Sequence, residues 1–506
     1  MATRLPLPAE RGAATAWLAN ATALALEAVA TRPLRDLSDV AVESREQRKR
    51  LIALLPIPGV AGDRLLLVAG DAMSARLSAT AFDLAGASGW PSITPLWPEA
   101  HLFEREIHER TGLLPEGHPW LKAVRGHREL EADPRSPPHP FLRAEGEGVH
   151  EVAVGPIHAG VIEPGHFRFQ CFGEEILHLE IQLGYQLRGA EEMLERAKPA
   201  RRMVVAESIA GDTAVGHALA YCMALEALSG TRVPLRAHAI RGLALEIERV
   251  CNHVGDLGAL CNDVGYLPGA SYFARIRGDF LNLLMELGGN RYGRSLLIPG
   301  GARFDVTAPL QARVLRTLDA AERDLRDTFR LMVTTPSVLS RFEGTGVVSR
   351  ESALELGFVG PTARACGVAR DVRTDHPAGV FQFTHVPVAV AEDGDVMARA
   401  NIRWLEVLRS LRFIREQVSR LPDGAVRAPL NALAPSSMTA ALVEGWRGEI
   451  AHVVVTDEAG GVARHKVVDP SFHNWFALAL AVRGAQISDF PLCNKSFNLS
   501  YAGHDL

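Results

Sequence analysis

The rhythm of apolar and polar positions changes twice along this chain of 506 residues. Residues 15 to 30 are dense in Ala and Leu, a composition that predicts a helix. The short apolar runs Leu51-Ile-Ala-Leu-Leu-Pro56 and Arg64-Leu-Leu-Leu-Val-Ala69 predict strands, so the first stretch reads as a small α+β unit with a mostly antiparallel sheet. Glu131-Ala-Asp-Pro-Arg-Ser-Pro-Pro-His-Pro140 carries four prolines among charges and predicts an extended linker. The boundary is placed near residue 145, giving units 1–145 and 146–506.

Beyond it, Val152-Ala-Val154 and Phe167-Arg-Phe-Gln170 predict strands around a Gly-, Pro- and His-rich loop from Gly155 to His166. Apolar positions then recur every three or four residues at about 187–197, 207–229, 234–262, 271–290, 308–333 and 394–420, the pattern of a packed helical bundle. Near the end, Ile450-Ala-His-Val-Val-Val-Thr-Asp457 and Val462-Ala-Arg-His-Lys-Val-Val468 predict a hairpin through Glu458-Ala-Gly-Gly461. No internal repeat or low-complexity tract stands out.

A hydrophobic fraction of 47% and a charged fraction of 22% fit a globular protein, and the length favours more than one core. The formal net charge of -5 argues against a dedicated nucleic-acid surface. The longest unbroken apolar run, Phe476-Ala-Leu-Ala-Leu-Ala-Val482, is far short of the roughly 20 residues that cross a bilayer, so membrane attachment is expected through partners. Met1-Ala-Thr-Arg-Leu-Pro-Leu-Pro8 shows no signal-peptide pattern, and a cytoplasmic location is expected. Cys171, Cys222, Cys251, Cys261, Cys366 and Cys493 form no compact ligand set and read as buried free thiols.

Two features could carry chemistry. His158 and His166 lie in the one loop whose glycines and prolines suggest close backbone approach; the plainer reading is a pair of turn histidines bonded to backbone. Gly300-Gly301 and Gly460-Gly461 lack the spaced glycines between strand and helix that a dinucleotide loop needs, so no NAD site is assigned.

From Gly155-Pro-Ile-His-Ala-Gly160 to Ala502-Gly-His-Asp-Leu506 the order of motifs resembles the large subunit of membrane-bound, energy-converting (group 4) nickel-iron hydrogenases of the formate hydrogenlyase type. That family is itself similar to the 49 kDa subunit of respiratory complex I. The matching stretches include Glu163-Pro-Gly-His-Phe-Arg168, Leu187-Arg-Gly-Ala-Glu191, Glu246-Ile-Glu-Arg-Val-Cys-Asn-His253, Ile298-Pro-Gly-Gly301, Gly360-Pro-Thr-Ala-Arg364 and Asp371-Val-Arg373. Ahead of them, Glu104-Arg-Glu-Ile-His-Glu-Arg-Thr-Gly112 with Gly117-His-Pro119 resembles the signature of the complex I 30 kDa subunit, fused at the N-terminus.

The resemblance implies a large subunit emptied of its metal. Ala210 and Thr213, in the segment Glu207 to His217, stand where a hydrogenase carries one cysteine pair, and Ser471 and Asn474 stand where it carries the other. Methyl, hydroxyl and amide groups do not replace thiolates around nickel and iron, so no metal ligands are assigned and any iron-sulfur cluster is expected in a partner subunit. The resemblance further implies that His158 and His166 line a quinone headgroup cavity, and that Asp263, ten residues after His253, pairs with the quinone histidine. A carboxylate there would raise the imidazole pKa and prepare a proton donor. The tyrosine that completes this donor set in complex I falls at Gly211, with Asp212 and Tyr221 as candidate substitutes.

Glu191 matches a hydrogenase proton-transfer glutamate, for which a raised pKa is expected; Glu195 one turn on makes a solvated acidic face the alternative. Glu207, His217, Arg303, Arg364 and Arg373 follow family motifs near the old active site, the arginines serving equally well as structural ion pairs. For Asp263 the alternative is a helix-end carboxylate facing solvent. Glu246 and Arg249 read as an internal pair.

The expected function is a peripheral oxidoreductase subunit on the cytoplasmic face of the cell membrane. It would pass electrons from a small iron-sulfur subunit, similar to the complex I 20 kDa subunit, to a quinone or similar acceptor. A ferredoxin-like subunit and antiporter-like and anchor membrane subunits would complete the complex, with no nucleic acid involved. The alternative is a redox-silent scaffold that docks the iron-sulfur subunit onto the membrane arm.

Overall fold

A computed structural model describes residues 15–58, 63–125, 141–158 and 162–506. The proline-rich segment 131–140 and positions 159–161 of the histidine loop therefore lie outside the described residues. The fold is α+β: one antiparallel sheet near the start, a three-stranded sheet around the histidine loop, a helical bundle, and a last sheet near the end.

The first sheet has the order Ala16–Ala19, Arg76–Asp83, Arg64–Asp71, Arg50–Ile57, all antiparallel. Thr31–Arg32 adds to Arg76–Asp83 in parallel. Arg50–Ile57 and Arg64–Asp71 are buried along nearly their whole length, which explains why they read as continuous rather than alternating apolar runs. The predicted helix at 15–30 does not form. Its residues make a strand, Ala16–Ala19, a two-residue strand, Leu24–Ala25, and a short 3-10 turn, Leu26–Ala28. Helix preference among these residues differs by only tenths of a kcal/mol per position, less than the ladder bonds and burial gained by joining two sheets.

Leu24–Ala25 pairs with Ser437–Gly445 in the last sheet, through Met438 to Leu24 and Ser437 to Ala25. Between the two short strands, Asn20 Nδ2 donates to the carbonyls of His376 and Leu442 at 2.7 and 2.9 Å, and Leu442 N donates back to Asn20 Oδ1 at 2.7 Å. Asn20→Ala should lower stability by about 2 kcal/mol, because it leaves a buried N–H and two carbonyls without their partner. The loss would be read as a lower urea midpoint at unchanged slope. The sheets also share a core, in which Leu54, Leu66 and Phe82 join Met438, Val453 and Phe472. Packing thus runs across residue 145 without a break.

The bundle consists of Ala190–Arg196, Pro199–Ala206, Ala214–Ser229, Leu235–Asp263, Leu267–Gly288, Ala308–Thr334 and Val396–Ser419. Leu235–Asp263 is its axis: buried residues lie all round its middle, whereas Ala308–Thr334 buries one stripe, as their sequence patterns require. The last sheet has the order Val462–Val468, Gly448–Thr456, Ser437–Gly445, Leu24–Ala25, and its hairpin is the one predicted. Helix Pro470–Ala481 follows directly, with Asp469 as its N-cap accepting from Ser471 N at 2.8 Å.

Candidate functional site

The loop between strands Val149–Val154 and His166–Phe172 is closed at its neck by its own histidines. His158 Nε2 lies 2.8 Å from the Gly165 carbonyl, and His166 Nδ1 lies 3.3 Å from that of Gly155. The backbone-bonded reading of both therefore describes their contacts. Gly165 packs so closely on Tyr501 and Leu183 that a Cβ would lie 2.6 Å from the Tyr501 ring.

The four positions where thiolates were expected are all at most 1% exposed. Thr213 Oγ1 accepts from Trp446 Nε1 at 3.1 Å and Arg447 Nη1 at 3.0 Å. Ser471 Oγ accepts from Ser500 N at 2.8 Å, and Asn474 exchanges two hydrogen bonds with the Val359 backbone at 3.0 Å each. These are satisfied groups in a closed interior, and their hard oxygens do not fit a nickel-iron centre. The hairpin turn holding Trp446 and Arg447 is positioned by Gly360, which starts the Gly360-Pro-Thr-Ala-Arg364 motif at φ +66; a Cβ there would sit 2.0 Å from the Arg447 carbonyl.

Arg447 also grips Asp212 with both terminal nitrogens, at 2.6 and 2.8 Å. Burial opposes ionisation of Asp212, but Arg447 outweighs it and holds the carboxyl below its ordinary range. Gly211 beside it is exposed, so this turn is where the closed interior meets the surface. Glu248, on Leu235–Asp263, accepts from Val215 N and Gly216 N at the start of helix Ala214–Ser229. Burial pushes its carboxyl up to about 8 despite those bonds. His217 follows Gly216 in that helix, with Nε2 2.9 Å from Asp469 Oδ2, and this contact joins the segment Glu207 to His217 to the segment Asp469 to Trp475.

Arg364 and Arg373 belong to one buried ionic network. Arg364 donates to Glu406 from Nε at 2.9 Å and to Glu444 from Nη1 at 2.8 Å. Arg373 pairs with Asp371 at 2.6 Å and with Glu246 at 3.0 Å, and Arg249 pairs with Glu246 at 3.1 Å, as read from their spacing. His253 contacts Glu406 at 2.9 Å, and burial lowers the imidazole pKa. Glu406 had no sequence signal beyond lying in the predicted helix 394–420, and Glu444 lies on a strand, Ser437–Gly445, that was not predicted.

Glu191 sits in a cationic cage rather than on a solvated face. It accepts from Lys466 Nζ at 3.0 Å, Arg464 Nη2 at 3.1 Å and Val467 N at 3.0 Å, and it pairs with Arg110. Burial raises its pKa, but Lys466, Arg464, Arg110 and Arg125 together drive it well below the ordinary value. The expected raised pKa is thus reversed, because four cations converge on one carboxylate.

Asp263 ends helix Leu235–Asp263 on the exposed side, where partial burial raises its pKa and Lys495 opposes the rise. No hydrogen bond joins it to His158, His166 or His253 among the described residues. Glu207 and Arg303 meet instead at Ser295: Glu207 accepts its N–H at 2.6 Å, and Arg303 donates to its carbonyl at 2.9 Å from the surface.

A shallow cleft with about 60 Å³ of free space opens between the early and late parts of the chain. Trp120, Trp475 and Phe476 wall it, with His101, Arg105 and Lys122 as polar lining and Leu183 connecting it to the histidine loop. Burial pulls the His101 pKa down to about 3, so the ring is neutral at physiological pH. The Trp475 indole N–H has no hydrogen-bond partner among the described residues.

Family models of the respiratory-chain NADH dehydrogenase match this chain twice, the 49 kDa subunit over residues 263–505 and the 30 kDa subunit over residues 65–141. The carbon monoxide-induced hydrogenase of Rhodospirillum rubrum is 32% identical over 350 residues, covering 69% of this chain and 97% of that protein. The chain belongs to the group 4 hydrogenase-related large subunits. Formate hydrogenlyase subunit 5 of Escherichia coli (strain K12) is 29% identical to this large subunit, over 82% of its length and 77% of that relative. Among solved structures, a chain of the membrane-bound sulfane sulfur reductase, an archaeal respiratory membrane complex, superposes with a TM-score of 0.67 at 25% identity. That match covers 72% of the present large subunit and all of the solved chain. No helix among the described residues is long and apolar enough to cross a membrane. Within the bundle, Ala210 is buried, and Thr213, Ser471 and Asn474 are buried and hydrogen-bonded.

Proposed function

We propose that this chain is the peripheral large subunit of a membrane-attached, energy-converting complex, in which electrons from a neighbouring iron-sulfur subunit reach a quinone or similar acceptor without hydrogenase chemistry. Residues 1–145 and 146–506 are its inherited units, related to the 30 kDa and 49 kDa subunits. A small iron-sulfur subunit, a ferredoxin-like subunit and antiporter-like and anchor membrane subunits are its partners, on the cytoplasmic face.

The observation that supports this reading is the aromatic-walled cleft. It adjoins Asn474 through Trp475 and combines an apolar aromatic wall with a few polar groups, the lining of a small-molecule site. A flat ring could lie against Trp120 and Phe476. Gly165, between His158 and His166, packs on Leu183 of the cleft wall, and Asp263 is not among the residues that line it. A second reading, the redox-silent scaffold, draws on the closed ligand positions and on the clamped Glu191.

The intact complex, chemically reduced at its clusters, distinguishes the two when cluster re-oxidation is followed after adding a soluble quinone. Rapid re-oxidation is expected, slowed about tenfold or more by Ala479→Phe, which fills the cleft, and changed less than about twofold by Asp263→Asn. Re-oxidation that ignores Ala479→Phe would remove the acceptor from this cleft. None at all in the native complex would favour the scaffold.

A further inference from the structure

Beside the emptied ligand positions runs a file of buried imidazoles, of which only His217 belongs to a family motif. His465 Nε2 lies 3.0 Å from His452 Nδ1, His452 Nε2 lies 3.3 Å from His217 Nδ1, and His217 Nε2 lies 2.9 Å from Asp469 Oδ2. All four side chains are at most 1% exposed. They come from four elements: the two strands of the late hairpin, the helix after Thr213, and the N-cap of the helix that carries Ser471.

The tautomers follow from the anchor. Asp469 is held ionised: burial opposes this, but its bond to His217 and the nearby Arg447 outweigh it. A carboxylate only accepts, so His217 carries its proton on Nε2 and presents Nδ1 as an acceptor. His452 must then donate from Nε2 and accept at Nδ1, and His465 must donate from Nε2. What remains is His465 Nδ1, a bare acceptor with no hydrogen-bond partner among the described residues. An unpartnered buried acceptor is costly, and a purely structural contact would avoid it.

We propose that His465, His452, His217 and Asp469 form a polar proton wire, leading from the Glu191–Glu195 ion-pair cluster to the N-cap two residues before Ser471. A proton that binds His465 Nδ1 releases the Nε2 proton of that ring to His452 Nδ1. The same exchange at His452 and His217 places one proton on Asp469. At each ring one N–H bond forms and one breaks, so the rings end neutral as Nδ1–H tautomers and reset when the transfer reverses or the rings turn over. Burial disfavours a resident imidazolium on His452 and His465, so the proton passes through without settling. Tyr221 stacks on His465 at 5.9 Å and 10°, which holds the first ring in plane. The His465 backbone N–H donates to half-buried Glu195 at 3.1 Å, and this places the entrance beside an acid that reaches the surface. Use of the delivered proton in acceptor reduction rests on the function proposed above. The wire itself does not, and its test needs no acceptor.

The test is nitrogen NMR of the full chain labelled with 15N-histidine. Native His217, His452 and His465 should all appear as neutral Nε2–H tautomers. Their Nε2 protons should exchange with solvent about tenfold or more faster than the backbone amides of strands Gly448–Thr456 and Val462–Val468, because exchange runs along the file rather than through opening. His465→Phe keeps a ring against Tyr221 and removes the entrance; it should slow exchange at His452 and His217 about tenfold or more. An Nδ1–H tautomer at any native position, or exchange no faster than the amides, overturns the wire. So does exchange that is indifferent to His465→Phe. If that variant fails to fold, the native tautomers and exchange rates alone decide.

Discussion

Arg364→Met is expected to cost about 3–5 kcal/mol, enough to leave much of the chain unfolded or insoluble at physiological temperature. The guanidinium is fully buried and spans Glu406 and Glu444, with Asp371 3.7 Å away. Burial alone would drive each carboxyl toward its neutral form; Arg364 is the largest influence holding Glu406 ionised, with His253 and Arg249 helping. Removing it strands negative charge in an interior that cannot solvate it. Arg364→Lys should fall between, since one ammonium cannot bond both carboxylates in the fork geometry. Neutralising Glu406 as well, in Arg364→Met with Glu406→Gln, should recover part of the loss. Denaturant unfolding of the four proteins decides the matter: a single-variant deficit below about 1 kcal/mol would show that the network is not the charged cluster described.

Lys466→Met should be nearly as costly, about 3 kcal/mol at pH 7, and its cost should depend on pH. Lys466 Nζ bonds both oxygens of Glu106 at 2.7 and 2.6 Å and Glu191 at 3.0 Å, so it ties the helix His101–Thr111 to Ala190–Arg196 across the late hairpin. Burial raises both carboxyl pKa values, but the surrounding cations win and depress them. A depressed folded pKa contributes stability above the unfolded glutamate value of about 4.3, and that stability is lost as pH falls through the folded value. The native protein should therefore weaken on acidification below about pH 4. In Lys466→Met the two carboxyls lose their shared cation and move up, so the deficit should be largest near pH 7 and shrink toward pH 5. Urea unfolding at both pH values tests this, and an equal deficit at each would assign the loss to packing instead of charge.

The periodic elements were legible in the residues because each face of a helix or strand is written locally. The helices Leu235–Asp263, Ala308–Thr334 and Val396–Ser419 and the late hairpin formed within a few residues of their predicted bounds. Family membership was legible as well, since the order of short motifs survives divergence, and so were the four positions where thiolates are replaced.

Partnership was not legible. Residues 15–30 have helix-forming composition, yet two sheet edges distant in sequence claimed them. Glu191 was read as a proton-transfer acid with a solvated face as the alternative, but its burial and the sign of its pKa shift depended on Lys466, 275 positions away. Asp263 kept its spacing from His253 while the helix carried it to the exposed end, and His253 took Glu406 as partner across 153 positions. His217 stood in a motif, but its neighbours His452 and Asp469 lie 235 and 252 positions on. Propensity, periodicity and residue chemistry are local, so most of the long elements, the family and the lack of cysteine at Ala210, Thr213, Ser471 and Asn474 could be read from residue order. Which charges meet, which carboxyls ionise and which imidazoles align was set by the folded arrangement, because electrostatics and hydrogen bonding depend on distance in space and on burial.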